Sequence, residues 1–257
     1  MNLELSGKNY IVSGSSRGIG AGIAEVLLQE GASVIITGRN QVDVANTSSA
    51  LNIQFPGKVL GHAGDLNDAI VLSELRKKIE NNWEVLDGII ANAGAVKPVK
   101  DWEISEVDWN WFFISNFNIA VKLVTEFIPY LKRSNSASIV FISSIAGVEE
   151  MGAPLPYSAS KAALIMYAKG LSRKLANDGI RVNTIAPGNI LFPGGNWDKK
   201  YEVNPEAINK MINEKVPLKQ FGKPSDIGNI SAFLLSEKAS FITGSCIVVD
   251  GGQSSKL

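Results

Sequence analysis

Seven short runs of β-branched and apolar residues, separated by longer segments with helical periodicity, constrain the possible folds of this chain more than any other feature. Apolar runs without polar interruption are typical of strands that are buried on both faces of a parallel sheet. In the first helical segment, Gly31 stands where a glycine commonly ends a helix. The predicted strands are residues 9–13, 33–37, 58–63, 86–91, 137–143, 181–186 and 246–250.

This alternation predicts a single α/β domain of Rossmann type over residues 1–257. We expect a doubly wound sheet of seven mostly parallel strands, with helices on both faces. No linker, repeat or low-complexity stretch divides the sequence. The segment 192–205 is expected to be irregular, and a substrate-binding loop is predicted at 189–204, because long loops in compact domains are usually functional.

The charge balance excludes several classes of partner. Lys plus Arg and Asp plus Glu number 25 each, and no segment concentrates one sign. We therefore expect no nucleic-acid partner. The sequence has no signal-peptide pattern and no stretch that approaches 18 apolar residues, so we also expect no membrane partner.

The single cysteine, Cys246, rules out an intramolecular disulfide, and its apolar surroundings predict a buried thiol. A reducing compartment follows, and the expected location is the cytoplasm. The residues Ser255-Lys256-Leu257 spell a peroxisomal address, which gives peroxisomal targeting as the alternative if the source is eukaryotic.

A glycine-rich turn follows the first predicted strand. The stretch SGSSRGIG places Gly14, Gly18 and Gly20 at the start of the first helix. Such a turn lets the backbone approach a diphosphate, and the helix N-terminus adds unpaired N–H groups and a positive dipole. The turn indicates a dinucleotide site, although a glycine cluster alone is equally compatible with an ordinary strand-to-helix connection.

The ordered set of motifs is more specific than any one of them. The G-x-x-x-G-x-G turn is followed by ANAG at 91–94, ISSIAG at 142–147, YSASK at 157–161, PG at 187–188 and a closing VVDGG. In these motifs essentially the whole chain resembles the short-chain dehydrogenase/reductase family. The resemblance implies a Rossmann-type fold, a nicotinamide dinucleotide cofactor and a catalytic set.

The resemblance also implies a set of cofactor contacts. Two positions depart from the family pattern: Ala91 replaces the usual first asparagine of its motif, and Phe192 stands where members often have a threonine that touches the cofactor amide. The implied contacts are Gly14, Ser16, Arg17, Gly18, Ile19, Gly20, Arg39, Asp65, Leu66, Asn92, Ala93, Gly94, Tyr157, Lys161, Pro187, Gly188 and Ile190.

The end of the second predicted strand favours NADP(H), with NAD(H) possible. An NAD site usually has an acidic residue there to bond the ribose hydroxyl, but this chain reads TGRN, with no carboxylate before Asp43. Arg39 and Arg17 could instead pair with a 2′-phosphate. The alternative is that both arginines are solvated surface charges.

Tyr157 and Lys161 form the candidate acid–base pair. Four residues apart on a helix, they share one face, and a neighbouring ammonium is expected to lower the phenol pKa by roughly one to three units. Ser144, at the end of the fifth predicted strand, could bond a substrate oxygen beside Tyr157. Ser143 competes for that role but should point to the opposite side. A tyrosine and a lysine four apart could also be an ordinary helix face.

Asn116 completes the catalytic set that the resemblance implies. In the family this residue bends its helix and holds a water that relays protons to the lysine, whereas Asn118 should face away. We assign no role to His62, the only histidine, and expect no metal site.

These residues predict an oxidoreductase that transfers hydride between a nicotinamide and a small-molecule carbonyl or secondary alcohol, with Tyr157 as general acid and base. The competing hypothesis is a non-enzymatic dinucleotide-binding module that senses redox state. Three segments should form the substrate entrance: residues 95–102, 148–156 and 189–204. A homotetramer is expected from the resemblance and from apolar residues on the long helices, namely Trp109, Phe112, Phe113, Leu123, Phe127 and Leu131.

Overall fold

Seven parallel strands form one sheet in the order β3-β2-β1-β4-β5-β6-β7 in a computed structural model, which describes residues 2–99 and 102–255. All seven predicted strands are confirmed, and so is the doubly wound α/β fold. The strands are β1 (Asn9–Val12), β2 (Ser33–Gly38), β3 (Val59–Ala63), β4 (Gly88–Ala91), β5 (Ser138–Ile142), β6 (Arg181–Pro187) and β7 (Cys246–Val249).

Helices cover both faces of this sheet. They are α1 (Gly18–Gln29), α2 (Gln41–Gln54), α3 (Ala69–Asn82), α4 (Glu106–Phe113), α5 (Ile119–Leu131), α6 (Leu155–Leu175), α7 (Asn196–Val203), α8 (Pro205–Lys215) and α9 (Pro224–Leu235). One apolar cluster joins the sheet to α1, α2 and α9, and a second joins it to α3, α5 and α6. Gly31 follows α1 with a φ of +84°, as a helix-ending glycine should.

The strand order places a crevice at the centre of the sheet. β1 pairs with β2 on one side and with β4 on the other, with Tyr10 opposite Val34 and Gly88. The connections from β1 and from β4 therefore leave toward opposite faces, and ligands bind at the carboxyl ends of strands at such a point. The glycine turn after β1 and the ANAG motif after β4 meet there.

The α4–α5 helix has an irregular centre. It runs from Glu106 to Leu131 with a π-helical turn at Ile114–Asn118. By length and mean hydropathy (1.2 over 18 residues) this helix could cross a membrane. That is weak evidence, because core helices pass the same test and this one buries Phe112 and Phe127 completely against the sheet.

Two predictions about buried and irregular regions were wrong. Cys246 is exposed, because it begins β7 and this strand lies at the edge of the sheet. The segment 192–205 is not irregular, since residues Asn196–Val203 form α7 and Pro205 begins α8. The Asp198 carboxylate accepts the Gly194 N–H at 2.7 Å, which stabilises the start of α7.

The apolar residues expected to form an assembly surface lie mostly in the core. Phe112, Leu123, Phe127 and Leu131 are fully buried, because the α4–α5 helix turns them toward the sheet, and only Trp109 and Phe113 are partly exposed. The large apolar side chains exposed on these helices and on α6 are Val107, Ile114, Leu155 and Met166.

Candidate active site

The glycine turn is held in shape by the motif that follows β4. The Asn92 side chain donates to the carbonyls of Ser13 and Gly14 at 2.9 and 3.1 Å. The Ser13 hydroxyl in turn accepts from the backbone N–H groups of Asn92 and Ala93, both at 2.9 Å. A methyl group on Gly14 would lie only 2.9 Å from Cα of Ala93. The Asn92 side chain thus supports the turn, which leaves the backbone of the motif to face the crevice.

The first turn of α1 is suited to an anion. Gly18 begins the helix with a φ of +61°, a conformation that favours glycine, and the preceding Arg17 provides no side-chain cap. The N–H groups of the first turn therefore have no capping acceptor, and the helix dipole adds positive potential. Ile19 and Gly20 continue this turn. A dinucleotide diphosphate fits such a cradle.

The end of β2 carries the exposed guanidinium of Arg39. Arg39 and Arg17 are exposed, and neither forms an ion pair with any residue in the described ranges. Ser16 lies against the strand end, since a methyl group on Gly38 would be 2.7 Å from its hydroxyl. The exposed Arg39 guanidinium can pair with an anionic group bound at this strand end.

The loop after β3 carries the residues expected beside an adenine ring. The carboxylate of Asp65 is exposed and accepts from the backbone N–H of Asn67 at 2.9 Å. Leu66 is buried. His62 precedes them on β3; it is buried, and its Nε2 lies 3.0 Å from the carbonyl of Val71, so it contributes to packing there.

Ser144 and Tyr157 meet at the carboxyl end of β5. Ser144 is the second residue after the strand, and Tyr157 lies in the first turn of α6. Burial raises the pKa of the Tyr157 phenol above its ordinary value of 10, and the neighbouring Ser144 hydroxyl has a smaller effect in the opposite direction. The predicted lowering by Lys161 is therefore wrong for the cofactor-free protein.

The position of Lys161 explains why its charge does not lower the pKa of Tyr157. Its ammonium donates to the carbonyl of Ile142 at 2.9 Å and lies 5.9 Å from the centre of the Tyr157 ring. Burial lowers the pKa of this lysine from 10.5 to about 8, so it loses its proton at a lower pH than a surface lysine does. Ser143 points to the opposite side of the strand end, as expected, and its hydroxyl donates to the Lys161 carbonyl at 2.9 Å.

Asn116 lies in the π-helical turn and is completely buried. Its amide donates to the carbonyls of Ala95 and Phe112 at 2.8 and 3.0 Å and accepts from the Ala95 N–H at 3.0 Å. The side chain thus ties the helix to the loop after β4. Asn118 is half-buried and makes no side-chain hydrogen bond within the described ranges.

Gly94 lies close to the side chains of both Asn116 and Lys161. A methyl group on Gly94 would lie 2.8 Å from Oδ1 of Asn116 and 3.3 Å from Nζ of Lys161. The predicted set of Asn116, Ser144, Tyr157 and Lys161 therefore gathers on one side of the crevice, opposite the glycine turn.

Sequence reasoning missed two residues that support this group. The Phe112 ring meets the Tyr157 ring edge to face, with centroids 6.4 Å apart. A methyl group on Gly147 would lie 2.7 Å from the carbonyl carbon of Lys161, so this glycine allows α6 to approach the end of β5. The spacing of Phe112, four residues before Asn116, was the available signal.

Pro187, Gly188 and Ile190 border the crevice after β6. The Gly188 N–H donates to the carbonyl of Val249 at 2.9 Å, and Ile190 pairs with Gly222 in an isolated parallel bridge. The aromatic ring of Phe192 lies against Gly18. Within residues 2–99 and 102–255, no group of three or more His, Cys, Asp or Glu side chains is placed to hold a metal ion.

The chain matches known proteins along almost its whole length. A family model described as enoyl-(acyl carrier protein) reductase covers residues 14–254. The 3-oxoacyl-[acyl-carrier-protein] reductase FabG of Thermotoga maritima is 30% identical over 253 residues, 97% of this chain and 99% of that protein. Isoepoxydon dehydrogenase patN of Penicillium expansum is 34% identical over 254 residues, 96% of this chain and 95% of that protein.

A solved structure agrees with these relatives. The L-sorbose reductase of Gluconobacter frateurii, in complex with NADPH and L-sorbose, has a TM-score of 0.94 to this chain and 29% identity, with both chains fully covered. Together with the order of the motifs in the crevice, these matches establish that the chain belongs to the short-chain dehydrogenase/reductase family of oxidoreductases.

Proposed function

We propose that this protein is an NADP(H)-dependent reductase of small-molecule ketones or aldehydes, reversible as an alcohol dehydrogenase. The observation that carries the proposal is the convergence of Ser144, Tyr157 and Lys161 at the end of β5, across the crevice from the glycine turn. A bound nicotinamide would supply or accept the hydride. The protein's own side chains would hold the substrate oxygen and move the proton.

In the reductive direction, the Ser144 hydroxyl would hold the carbonyl oxygen and the Tyr157 hydroxyl would donate a proton to it. The raised pKa of Tyr157 keeps the phenol protonated at neutral pH, which suits a general acid. Lys161, tied to β5 through Ile142, would bind ribose hydroxyls of the cofactor and favour the phenolate once the proton has left. Asn116 would position Lys161 through the shared contact at Gly94.

Arg39 and Arg17 support the preference for NADP(H). Both guanidinium groups are exposed and form no ion pair within the described ranges. Arg39 directly follows β2, where the adenosine ribose would lie, and Arg17 belongs to the glycine turn. A 2′-phosphate would gain charge-assisted hydrogen bonds from them, whereas a ribose hydroxyl would not. The NADPH in the L-sorbose reductase structure is consistent with this choice.

The substrate entrance favours a small molecule without strong charge. Lys97 lies there but is paired with Asp108 at 2.7 Å and lies 4.7 Å from the Trp111 ring centre. Phe112 backs the catalytic tyrosine, and the carboxylate of Glu150 bonds the backbone of Gly152 at 2.6 Å. Lys97 and Glu150 at the entrance thus have partners within the protein. Aromatic and hydroxyl groups would then make most of the contacts with the substrate.

The test is oxidation of NADPH, followed by absorbance, against a panel of ketoses, 3-oxoacyl thioesters and cyclic enones. We expect turnover with at least one class in the wild type and a loss of about 10²- to 10⁴-fold in Tyr157→Phe, which keeps the ring and removes the proton donor. NADPH binding without turnover by the wild type across this panel would contradict the proposal and favour the sensor hypothesis.

We also propose a homotetramer, as in the family. The exposed side chains of Val107, Ile114 and Met166 give α4–α5 and α6 an apolar outer surface. Sedimentation should show a tetramer for the wild type and smaller species for Met166→Asp. A wild-type monomer at micromolar concentration would overturn this proposal.

A further inference from the structure

The aromatic side chain of Phe192 rests on the glycine turn. A methyl group on Gly18 would lie 2.7 and 2.8 Å from Cε2 and Cζ of the Phe192 ring, so the ring is in contact with the first residue of α1. A ring at that distance leaves no layer of solvent between itself and the turn. It lies beside the start of the same first turn of α1 whose N–H groups lack a side-chain cap.

The contact between the Phe192 ring and Gly18 is unfavourable for the N-terminus of α1. N–H groups at a helix N-terminus are stabilised by water, a polar cap or an anion, and an aromatic ring replaces water there without accepting hydrogen bonds as a carboxylate or phosphate would. The first turn of α1 therefore has a better partner available than Phe192. An anion and the Phe192 ring therefore compete for the same place beside the start of α1.

The segment that carries Phe192 has a fixed base and a loosely packed continuation. At its base, Leu191 N–H donates to the Gly222 carbonyl at 2.9 Å, and Gly222 N–H donates to the Asn189 carbonyl at 3.0 Å. Beyond Phe192, the Gly194–Gly195 turn leads into α7, which has no buried residue. Elements with few buried apolar contacts open at low free-energy cost.

We propose that Phe192 is a gate on the diphosphate subsite: in the free enzyme its ring covers Gly18, and it swings away with α7 when the dinucleotide binds. The inference rests on the proposed NADP(H) function. Because closed enzyme cannot bind the diphosphate, the gate reduces the binding-competent fraction, slows association and weakens apparent affinity. A threonine at this position would have no ring to impose such a competition.

Stopped-flow binding of NADP⁺, followed by tryptophan fluorescence, tests this gate. Phe192→Ala should associate roughly three- to tenfold faster than the wild type and bind with a lower Kd, because the closed state is removed. Phe192→Leu, which keeps apolar packing at this half-buried position, should give an intermediate rate. The matched control is Phe241→Ala, an exposed aromatic residue outside the segment that carries Phe192 and α7, which should leave the rate unchanged.

Two further measurements separate the gate from other roles of the ring. 2′-AMP carries the 2′-phosphate but no diphosphate, so it should bind the wild type and Phe192→Ala equally. Trp197 lies in α7, and Trp197→Phe should remove most of the fluorescence change on NADP⁺ binding if α7 moves with the gate.

An unchanged association rate in Phe192→Ala, or a higher Kd, would overturn the gate, since a higher Kd means that the ring packs on the bound cofactor. A wild type that binds neither NADP⁺ nor 2′-AMP would overturn the proposed function and the gate with it. Normal 2′-AMP binding by a Phe192→Ala variant with unchanged NADP⁺ kinetics would overturn the gate alone.

Discussion

The ammonium of Lys161 donates its hydrogen bond to the backbone carbonyl of Ile142, and together with the bond from the Ser143 hydroxyl to the Lys161 carbonyl this contact holds α6 against the end of β5. The ammonium is buried, so the contact offsets only part of the cost of desolvating a charge. The pKa of Lys161 consequently falls to about 8.

The lowered pKa of Lys161 predicts a pH-dependent stability. In the unfolded chain the lysine titrates near 10.5 and in the folded protein near 8, so between these pH values the unfolded state binds more protons and the free energy of unfolding rises with pH. Relative to Lys161→Met, the wild type should gain up to about 3 kcal/mol over this range. Denaturant unfolding of cofactor-free protein at several pH values measures it. Lys174→Met, an exposed lysine of the same helix, should show no such difference.

Tyr157 should remain a neutral phenol in the cofactor-free protein beyond the usual phenol range. Burial raises its pKa, so the absorbance difference near 295 nm between wild type and Tyr157→Phe should appear only above pH 10. Addition of NADP⁺ should move this transition to lower pH, because the oxidised nicotinamide carries a positive charge. A phenolate signal at pH 8 without cofactor would contradict the buried environment described here.

Arg39 should account for most of the cofactor preference. Loss of a charge-assisted hydrogen bond costs about 1.5 to 3 kcal/mol, which corresponds to roughly ten- to hundredfold in the ratio of kcat/KM for NADPH and NADH. In Arg39→Ala the ratio of kcat/KM for NADPH over NADH should fall by that factor. It should fall further in Arg39→Asp and less in Arg17→Ala. Arg173→Asp, on α6, controls for the change in net charge. A wild type that prefers NADH would show that other residues bind the adenosine ribose.

Asn116 should matter for stability as well as for activity. Replacing it by alanine removes three hydrogen bonds and leaves the partly buried N–H and carbonyl groups of Ala95 without these partners. The free energy of unfolding should fall by about 2 to 4 kcal/mol. Asn118→Ala, in the same helix, should change it by less than about 0.5 kcal/mol. Equal losses in the two variants would mean that the bonds to Ala95 do not stabilise the fold.

The sequence predicts the sheet well, and the same reasoning predicts that Ser144 and Tyr157 lie close together. Strands buried on both faces need continuous apolar runs, and the parallel order brings the ends of β1, β4 and β5 to one edge, where Ser144 and Tyr157 meet. Neither conclusion requires knowledge of side-chain packing.

Features that depend on tertiary packing were not predictable in this way. The helix α7 has no buried face, so its residues carry no apolar periodicity. The exposure of Cys246 depends on β7 being the last strand of the sheet. The pKa of Tyr157 depends on whether burial or the Lys161 charge dominates, and helical spacing gives the direction of the charge effect but not the extent of burial.

The position of β1 in the middle of the sheet also governs when this protein can fold as it is synthesised. β1 is made first, yet its partner Gly88 emerges 78 residues after Tyr10, and every other strand pair is likewise joined through an intervening helix or a longer connection. No hairpin can form early to shelter these strands. A nascent chain that ends before β4 therefore presents the apolar strand β1 with one open edge, and this edge can pair wrongly with other chains until β4 has been made.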